Sequence, residues 1–515
     1  MLRDLVPMPL GALLARCARL WPDKPALLGL ERSFTWRELD AEVNRAASLL
    51  AAAGIGRGDP VAMLLTKRPE VVVAFFACAR IGAIYVPVNF KLHPDQVVDQ
   101  FRVVGVNAAI VEPQFEGLLK HLLPILPDPR RLFYVDGPAR HGGGDWSAPA
   151  DSPPPAHEAH GDDVVYYNYT SGSTGRAKGA PTTHRQINEN AAATAEGLGF
   201  VADDVYLGMF SVFAHPHELF HRSLLFGGAF VVAETLNPRV AADVIARHRV
   251  TWTMGVPSFY EMLLDFRDAH GGDYSSLRVL EAGGAFVTPE TLERMETAFK
   301  TRFLPVWGST ETTGVGLGML ANGPRRPGST GKPIPGYEIR VVGEDGQPVP
   351  AGETGELWIR GEAVVTGYVN QPVETADQFA EGWYQTRDLV RVDADGFVFF
   401  AGRRSEMLKI GGIRVFPQEI EMVLAQHPDI RGVVVVRAEE RLRGEVARAI
   451  IAVAPGSTLD IRQVQAYCRD RMANYKVPRI VEFWAEIPKL PNGKIDKKAV
   501  VATPVDPKRD DRVRA

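Results

Sequence analysis

Three cysteines in 515 residues, Cys17, Cys78 and Cys468, are too few and too scattered for a disulfide framework or a cysteine-based zinc site. A reducing compartment suits such a chain. Charge of one sign is also lacking. Lys and Arg total 58 against 62 Asp and Glu, a formal net charge of −4, with no basic face of the kind nucleic-acid binding needs. No apolar run reaches the ~18 residues of a membrane span. The apolar stretch 5–15 ahead of Cys17 faintly resembles a lipoprotein cleavage box. Asp4, two prolines and Arg16 directly before the cysteine argue against cleavage, and 10–20 reads as an amphipathic opening helix. Repeats and low-complexity tracts are absent as well. These absences exclude a secreted disulfide scaffold, a membrane-embedded protein and a nucleic-acid partner, and they predict a cytoplasmic globular protein.

What is present is an average soluble composition, 45% apolar and 23% charged, spread over a chain too long for one core. Single cores stop growing at roughly 250–300 residues, so at least two domains are expected. From about 60 to 310, short β-rich runs alternate with helix-patterned ones, as in 61–66 then 69–81 and 229–234 then 238–248, which is the α/β signature. Further strands are expected at 164–169, 206–210, 251–255, 277–281 and 303–306, each ending in a Gly- or Ser/Thr-bearing loop. In open α/β sheets ligands sit at such carboxyl ends. Between 325 and 400 the helical period gives way to short strands and turn signals. After Gly402 comes a compact pattern of hairpin, helix, two strands and helix. The fold class is therefore α/β. A large N-terminal domain of layered sheets is expected over 1–402, with a β-rich subdomain at 325–400, a hinge at 403–405 and a small mobile α+β domain over 406–515.

The strongest local signal is Tyr169-Thr170-Ser171-Gly172-Ser173-Thr174-Gly175-Arg176-Ala177-Lys178-Gly179. A loop rich in N–H groups and hydroxyls, read at a strand-to-helix junction, is a phosphate cradle, and Lys178 adds a point charge. Its spacing is not that of a P-loop. As a bare flexible linker, such a concentration of Gly, Ser, Thr and Lys inside a βα unit would be unusual.

The loop and the motifs that follow it in order resemble, over essentially the whole chain, the adenylate-forming enzymes. These include acyl-CoA synthetases, firefly luciferase and the adenylation domains of peptide synthetases. That resemblance implies an ATP-dependent activation of a carboxylic acid to acyl-AMP, followed by transfer to coenzyme A, with ATP, Mg2+ and coenzyme A as its small molecules. It assigns Thr170, Ser171, Gly172, Ser173, Thr174, Gly175 and Lys178 to the phosphates. Gly283, Gly284 and Ala285 match the small-residue turn that lies along the adenine and borders the acid pocket. In Trp307-Gly308-Ser309-Thr310-Glu311, Trp307 stands where the family has tyrosine. Any large ring supplies a stacking face for adenine, so tyrosine there should serve equally. Glu311 is the expected magnesium ligand, since Mg2+ takes one or two carboxylates with phosphate oxygens and water.

Asp388 matches the aspartate that accepts from the ribose hydroxyls, although Arg387 replaces the usual glycine before it. Arg403 matches the arginine that reaches the ribose or phosphates at the domain boundary, with Ser405 at the hinge position. Lys494, in Asn492-Gly493-Lys494, matches the catalytic lysine, whose ammonium would offset charge as pyrophosphate leaves. Thr170 and Glu311 complete the catalytic assignment. Lys409, Gly411 and Gly412 match the loop that faces the site in the thioester-forming conformation. The acid pocket is assigned to His215, His217, Gly284 and Gly314.

Glycines 314, 316 and 318 alternate, which is consistent either with an open apolar tunnel for the acid or with backbone turns. The pattern His215-x-His217-x-x-x-His221 invites a metal reading. It is set aside because nothing adjacent supplies Cys or Asp and because the segment falls where the family lines its pocket. Two other functions compete: a stand-alone enzyme loading a carrier-protein thiol, and a nucleotide-binding regulator without turnover. Residues 205–233 contain Glu218 but no Asp to hold an amino acid's ammonium, and no carrier domain follows Lys494. Coenzyme A is therefore favoured over a carrier protein, and the retained Lys494, Glu311 and Asp388 speak against a mere binder.

Overall fold

The computed structural model describes residues 2–126, 128–150, 153, 159–171, 177–234, 237–285, 287–410, 413–440, 444–490, 495–506 and 509–511. Two large sheets dominate. A seven-stranded sheet runs in the order Gly144–Asp145, Leu132–Tyr134, Ala108–Val111, Pro60–Leu64, Ile84–Pro87, Val164–Ser171, Ala177–Thr183. All its pairs are parallel except the last. A nine-stranded sheet has a parallel centre made of Ala229–Val231, Val205–Met209, Trp252–Gly255, Val279–Ala282 and Arg302–Ser309.

Helices fill the space between the sheets. Pro69–Ile81 begins on a proline at its first turn and ends at Gly82 in the left-handed region, φ 74°. It is buried on nearly every side, as a helix apolar all round must be. Its Phe75 and Phe76 rings lie 5.1 and 4.6 Å from Phe220, which reaches Phe230 of the nine-stranded sheet at 6.2 Å. One apolar core thus joins both sheets.

The β-rich subdomain is a five-stranded antiparallel sheet, with Tyr337–Val342, Thr354–Gly361, Trp383–Val392 and Val398–Arg403 as its longer strands. After the short helical turn Arg404–Glu406 come the hairpin Leu408–Ile410/Ile413–Val415 and the helix Pro417–Ala425. The sheet Ile430–Glu440, Gly444–Val453, Ile480–Phe483 follows, with the helix Ile461–Arg469 between its second and third strands. This last unit carries its own core around Leu408, Ile420, Val435, Ile451 and Phe483. Among the described residues, no helix is long and apolar enough to cross a membrane.

Candidate active site

The structure corrects the setting of the Ser/Thr/Gly loop. The strands on either side of it pair antiparallel, with Thr170 opposite Lys178 and Ser171 opposite Ala177, so a strand and not a helix follows it. The helix His184–Leu198 starts only after the return strand, where Thr183 and Gln186 form a reciprocal cap. Two extended segments that pair with each other cannot be told from strand plus linker until the register is known. Gly172, Ser173, Thr174 and Gly175 lie outside the described residues, and of Thr170 and Ser171 only the backbone is described. Lys178, on the return strand, is buried. Its Nζ donates to Gln378 Oε1 and stands 4.9 Å from the centre of the Tyr368 ring. Tyr368 donates its hydroxyl to Glu311 Oε1 at 2.6 Å. The predicted phosphate lysine and the predicted metal carboxylate are thus brought to one place through Tyr368 and Gln378.

The strand Arg302–Ser309 delivers Trp307 and Gly308 and then turns sharply. A Cβ on Gly308 would stand 2.2 Å from the carbonyl oxygen of Gly314, closer than any real contact. Ser309 N–H donates to Thr312 Oγ1 at 2.9 Å and Thr313 N–H to Thr310 O at 3.1 Å, and this tight turn holds Glu311. Gly283, Gly284 and Ala285 follow the neighbouring strand Val279–Ala282, with Gly284 at φ 80° and both Gly284 and Ala285 exposed. These residues stand at strand carboxyl ends, as expected.

Across the junction with the β-rich subdomain, Trp307 Nε1 donates to Asp388 Oδ2 at 2.8 Å and Arg403 Nε to Asp388 Oδ1 at 3.1 Å. Asp388 and Arg403 are direct partners on paired strands. Burial raises the Asp388 carboxyl above its ordinary pKa, against the lowering effects of Arg403 and Trp307. Arg387, where the family has glycine, occupies the left-handed region at φ 64° at an irregularity of the strand pairing. Its N–H donates to Glu356 Oε1 at 3.2 Å and its guanidinium to the Asp377 carbonyl at 2.8 Å. A non-glycine residue is strained here, and these two contacts hold the backbone geometry that glycine would adopt freely.

The histidine segment lies behind the Glu311 turn. His215 begins it at φ 52° and is half-buried, while His217, Glu218 and His221 are buried. His217 Nε2 is 3.1 Å from the carbonyl oxygen of Thr313. A carbonyl only accepts, so Nε2 carries the proton and Nδ1 is an acceptor. Burial drives the His217 and His221 imidazoles well below their ordinary pKa and pushes the Glu218 carboxyl up to about 8. Next in sequence, Arg222 forms a fully buried pair with Glu281, which also accepts from Trp252 Nε1 at 2.8 Å.

Neither reading of the alternating glycines, tunnel or backbone turns, stands. All three lie in the strand Gly314–Gly318, and an added Cβ at 314, 316 or 318 would stand 2.6 Å from Glu218 Oε1, 2.9 Å from Ile359 or 2.8 Å from Leu198. The missing side chains are filled by neighbours.

In the last unit, Lys409 is exposed and its N–H donates to Glu445 at 2.6 Å. Gly411, Gly412 and Lys494 lie outside the described residues. The flanks of Lys494 are anchored: Lys489 bridges to Ile495, and Asp496 caps the helix Lys497–Ala502. The buried Arg448–Glu482 pair reaches that helix through the Val500 and Thr503 carbonyls.

Sequence reasoning missed Tyr368, Gln378, Glu281 and Arg222. Tyr368 lies in a loop with no period to mark it, and the Arg222–Glu281 pair spans 59 residues. Glu218 was noted only as the acid that is not aspartate.

The chain matches the AMP-binding enzyme family over residues 14–369 and the AMP-binding enzyme C-terminal domain over 419–494. It is 33% identical over 501 residues to a feruloyl-CoA synthase of Amycolatopsis sp, covering 95% of this chain and 98% of the relative. An indoleacetate–CoA ligase of Aromatoleum aromaticum is 32% identical, with 96% and 98% covered. The crystal structure of an anthranilate CoA ligase in complex with anthranoyl-AMP superposes with a TM-score of 0.91 at 28% identity, covering 98% of each chain.

Proposed function

The chain belongs to the AMP-binding enzyme family, and we propose that it joins an aromatic carboxylic acid to coenzyme A through an acyl-AMP. The supporting observations are two linked groups: Lys178 and Glu311 joined through Gln378 and Tyr368, and Trp307, on the strand that leads to Glu311, joined to Asp388 and through it to Arg403. Between them these residues would supply phosphate charge, a metal carboxylate, a stacking ring and a ribose acceptor. Glu311 offers a single buried carboxylate, which suits Mg2+ held jointly with phosphate oxygens. When bound, that ion would neutralise charge on the leaving pyrophosphate. The aromatic choice rests on the names of the two relatives and the structural neighbour: ferulate, indoleacetate and anthranilate are all ring-bearing acids.

In the first half-reaction a carboxylate oxygen of the acid attacks the α-phosphate of ATP and pyrophosphate leaves. Lys178 and Lys494 supply positive charge, Asp388 holds the ribose and Trp307 the base. In the second, the coenzyme A sulfur attacks the acyl carbonyl and AMP leaves. We assign the pivot between the two to residues 403–405, which would turn Lys494 away and bring Lys409, Gly411 and Gly412 inward. The buried free thiols suit a cytoplasmic site of action.

The test is a matrix of acids against acceptors, read by pyrophosphate release and thioester formation. Aromatic acids with coenzyme A should give the highest rates. A preference for aliphatic acids would overturn the acid class, and loading of a carrier-protein thiol without coenzyme A turnover would overturn the acceptor. Lys494→Ala should lower acyl-AMP formation by about 10²–10³-fold, on the scale of one lost charge-stabilising donor. Thioester formation from supplied acyl-AMP should persist.

A further inference from the structure

One donor atom from each of His215, His217 and Glu218 lies within 4.8 Å of the other two. His217 and Glu218 are 0% and 3% exposed. Their Nδ1 and Oε1 atoms have no hydrogen-bond partner among the described residues. A buried polar atom left without a partner costs about 1–3 kcal/mol. Two buried polar atoms without partners, on residues whose donor atoms cluster in this way, mark a place that a positive centre would fill.

The donor set narrows what that centre is. Two imidazoles and a carboxylate form a three-ligand set used for zinc, and such a set leaves a further coordination position open. The hard, oxygen-seeking ions Mg2+ and Ca2+ do not choose imidazoles. His217 is already oriented as a metal-bound histidine is. Its Nε2–H is fixed on the Thr313 carbonyl, which leaves the Nδ1 lone pair as the donor. The nearby guanidinium of Arg222 is committed to Glu281, both of whose oxygens it contacts, so the local charge is balanced.

We propose that His215, His217 and Glu218 bind a divalent transition-metal ion of the zinc or cobalt class, at a site separate from the magnesium position at Glu311. Ligand bonds of about 2.0–2.2 Å put tetrahedral donors roughly 3.3–3.6 Å apart, so a set that lies within 4.8 Å closes by at most about 1.5 Å when loaded. His215, half-buried at the start of the segment, is the ligand with room to move. The proposal stands independently of which acid the enzyme activates.

The experiment uses untagged full-length protein, stripped with a chelator and titrated with Co2+ under excess Mg2+. One equivalent should bind and produce the strong visible d–d bands of four- or five-coordinate cobalt, and Zn2+ should displace it. Glu218→Gln, which keeps the shape, and His215→Ala, which removes the least buried ligand, should each weaken Co2+ binding by about 10–100-fold or more. Their melting temperatures without metal identify either variant that fails to fold, and the other then decides. Absence of stoichiometric binding, a six-coordinate spectrum, or unchanged affinity in a folded variant overturns the site.

Discussion

Two buried polar clusters stand at the same end of the nine-stranded sheet and are built on opposite plans. Around Asp388 and Glu311 each acid meets donors: Trp307 and Arg403 on one, Tyr368 on the other. Around Glu218 the polar atoms are left over: Glu218 Oε1, His217 Nδ1 and Asn190 Oδ1 find no partner among the described residues. The first cluster is completed by folding alone, and a nucleotide has only to exchange hydrogen bonds there. The second is left incomplete by folding, so whatever fills it gains the unpaid desolvation of several groups at once.

The buried Arg222–Glu281 pair beside the second cluster gives the largest expected effect. Arg222→Ala strands the Glu281 charge in the core and should lower the unfolding free energy by about 3–5 kcal/mol. Replacing both partners, Arg222→Met with Glu281→Leu, should recover most of it. Urea melts of the three proteins measure this, and equal losses in the single and double variants would show that packing, not charge, dominates.

A smaller effect tests whether the satisfied cluster is as complete as it looks. Trp307→Ala should weaken ATP binding by about 1–3 kcal/mol through lost stacking. The sequence-based expectation that tyrosine serves equally at 307 needs correction. Tyrosine keeps a ring but lacks the indole N–H that reaches Asp388, so Trp307→Tyr should cost about 0.5–1.5 kcal/mol. Calorimetric titration with ATP that shows no loss for Trp307→Tyr would remove that hydrogen bond from the argument.

Gly314 tests the unsatisfied cluster. Its φ of 119° and the nearness of Glu218 Oε1 and Asn190 Oδ1 to any Cβ predict that Gly314→Ala costs about 1–3 kcal/mol of stability. It should also displace Glu218 and weaken Co2+ binding. A stable variant that binds cobalt normally would show the segment to be softer than it looks.

The smallest effect is a pH shift. A protonated Asp388 loses an acceptor for the ribose, so ATP affinity should fall as pH drops through its pKa, which burial places above the ordinary aspartate value. Arg403 lowers that pKa, and Arg403→Met should therefore move the acid limb of ATP binding to higher pH. The side chain of Arg403 is 62% exposed, so solvent screening keeps the shift below about one pH unit. An acid limb that moves down instead would mean the pair does not couple as its geometry implies.

Much of this was readable from local signals. The helix Pro69–Ile81 is bounded by a proline and a glycine that mark its ends in the sequence, and the helix Pro238–His248 begins on a proline in the same way. The Ser/Thr/Gly loop was legible as chemistry but not as topology, because a strand that returns to pair with its predecessor leaves no local mark of the pairing. The histidine pattern was legible as spacing, with His221 as its third member, yet the structure groups Glu218 with His215 and His217 instead, and a lone glutamate in an apolar stretch carries no signal of where its oxygen points.

The sequence by itself determined the residue types, the ends of the capped helices, and the ordered motifs that place the chain in its family. These depend on interactions within a few residues, which composition and spacing record. Only the tertiary structure decided that Lys178 meets Gln378 across 200 residues and that Trp307 meets Asp388 across 81. It likewise decided that His217 is fixed by the Thr313 carbonyl across 96 residues. Such pairings depend on sheet order and strand register, and a one-residue slip would turn Lys178, Trp307 or Asp388 to the opposite face of its strand.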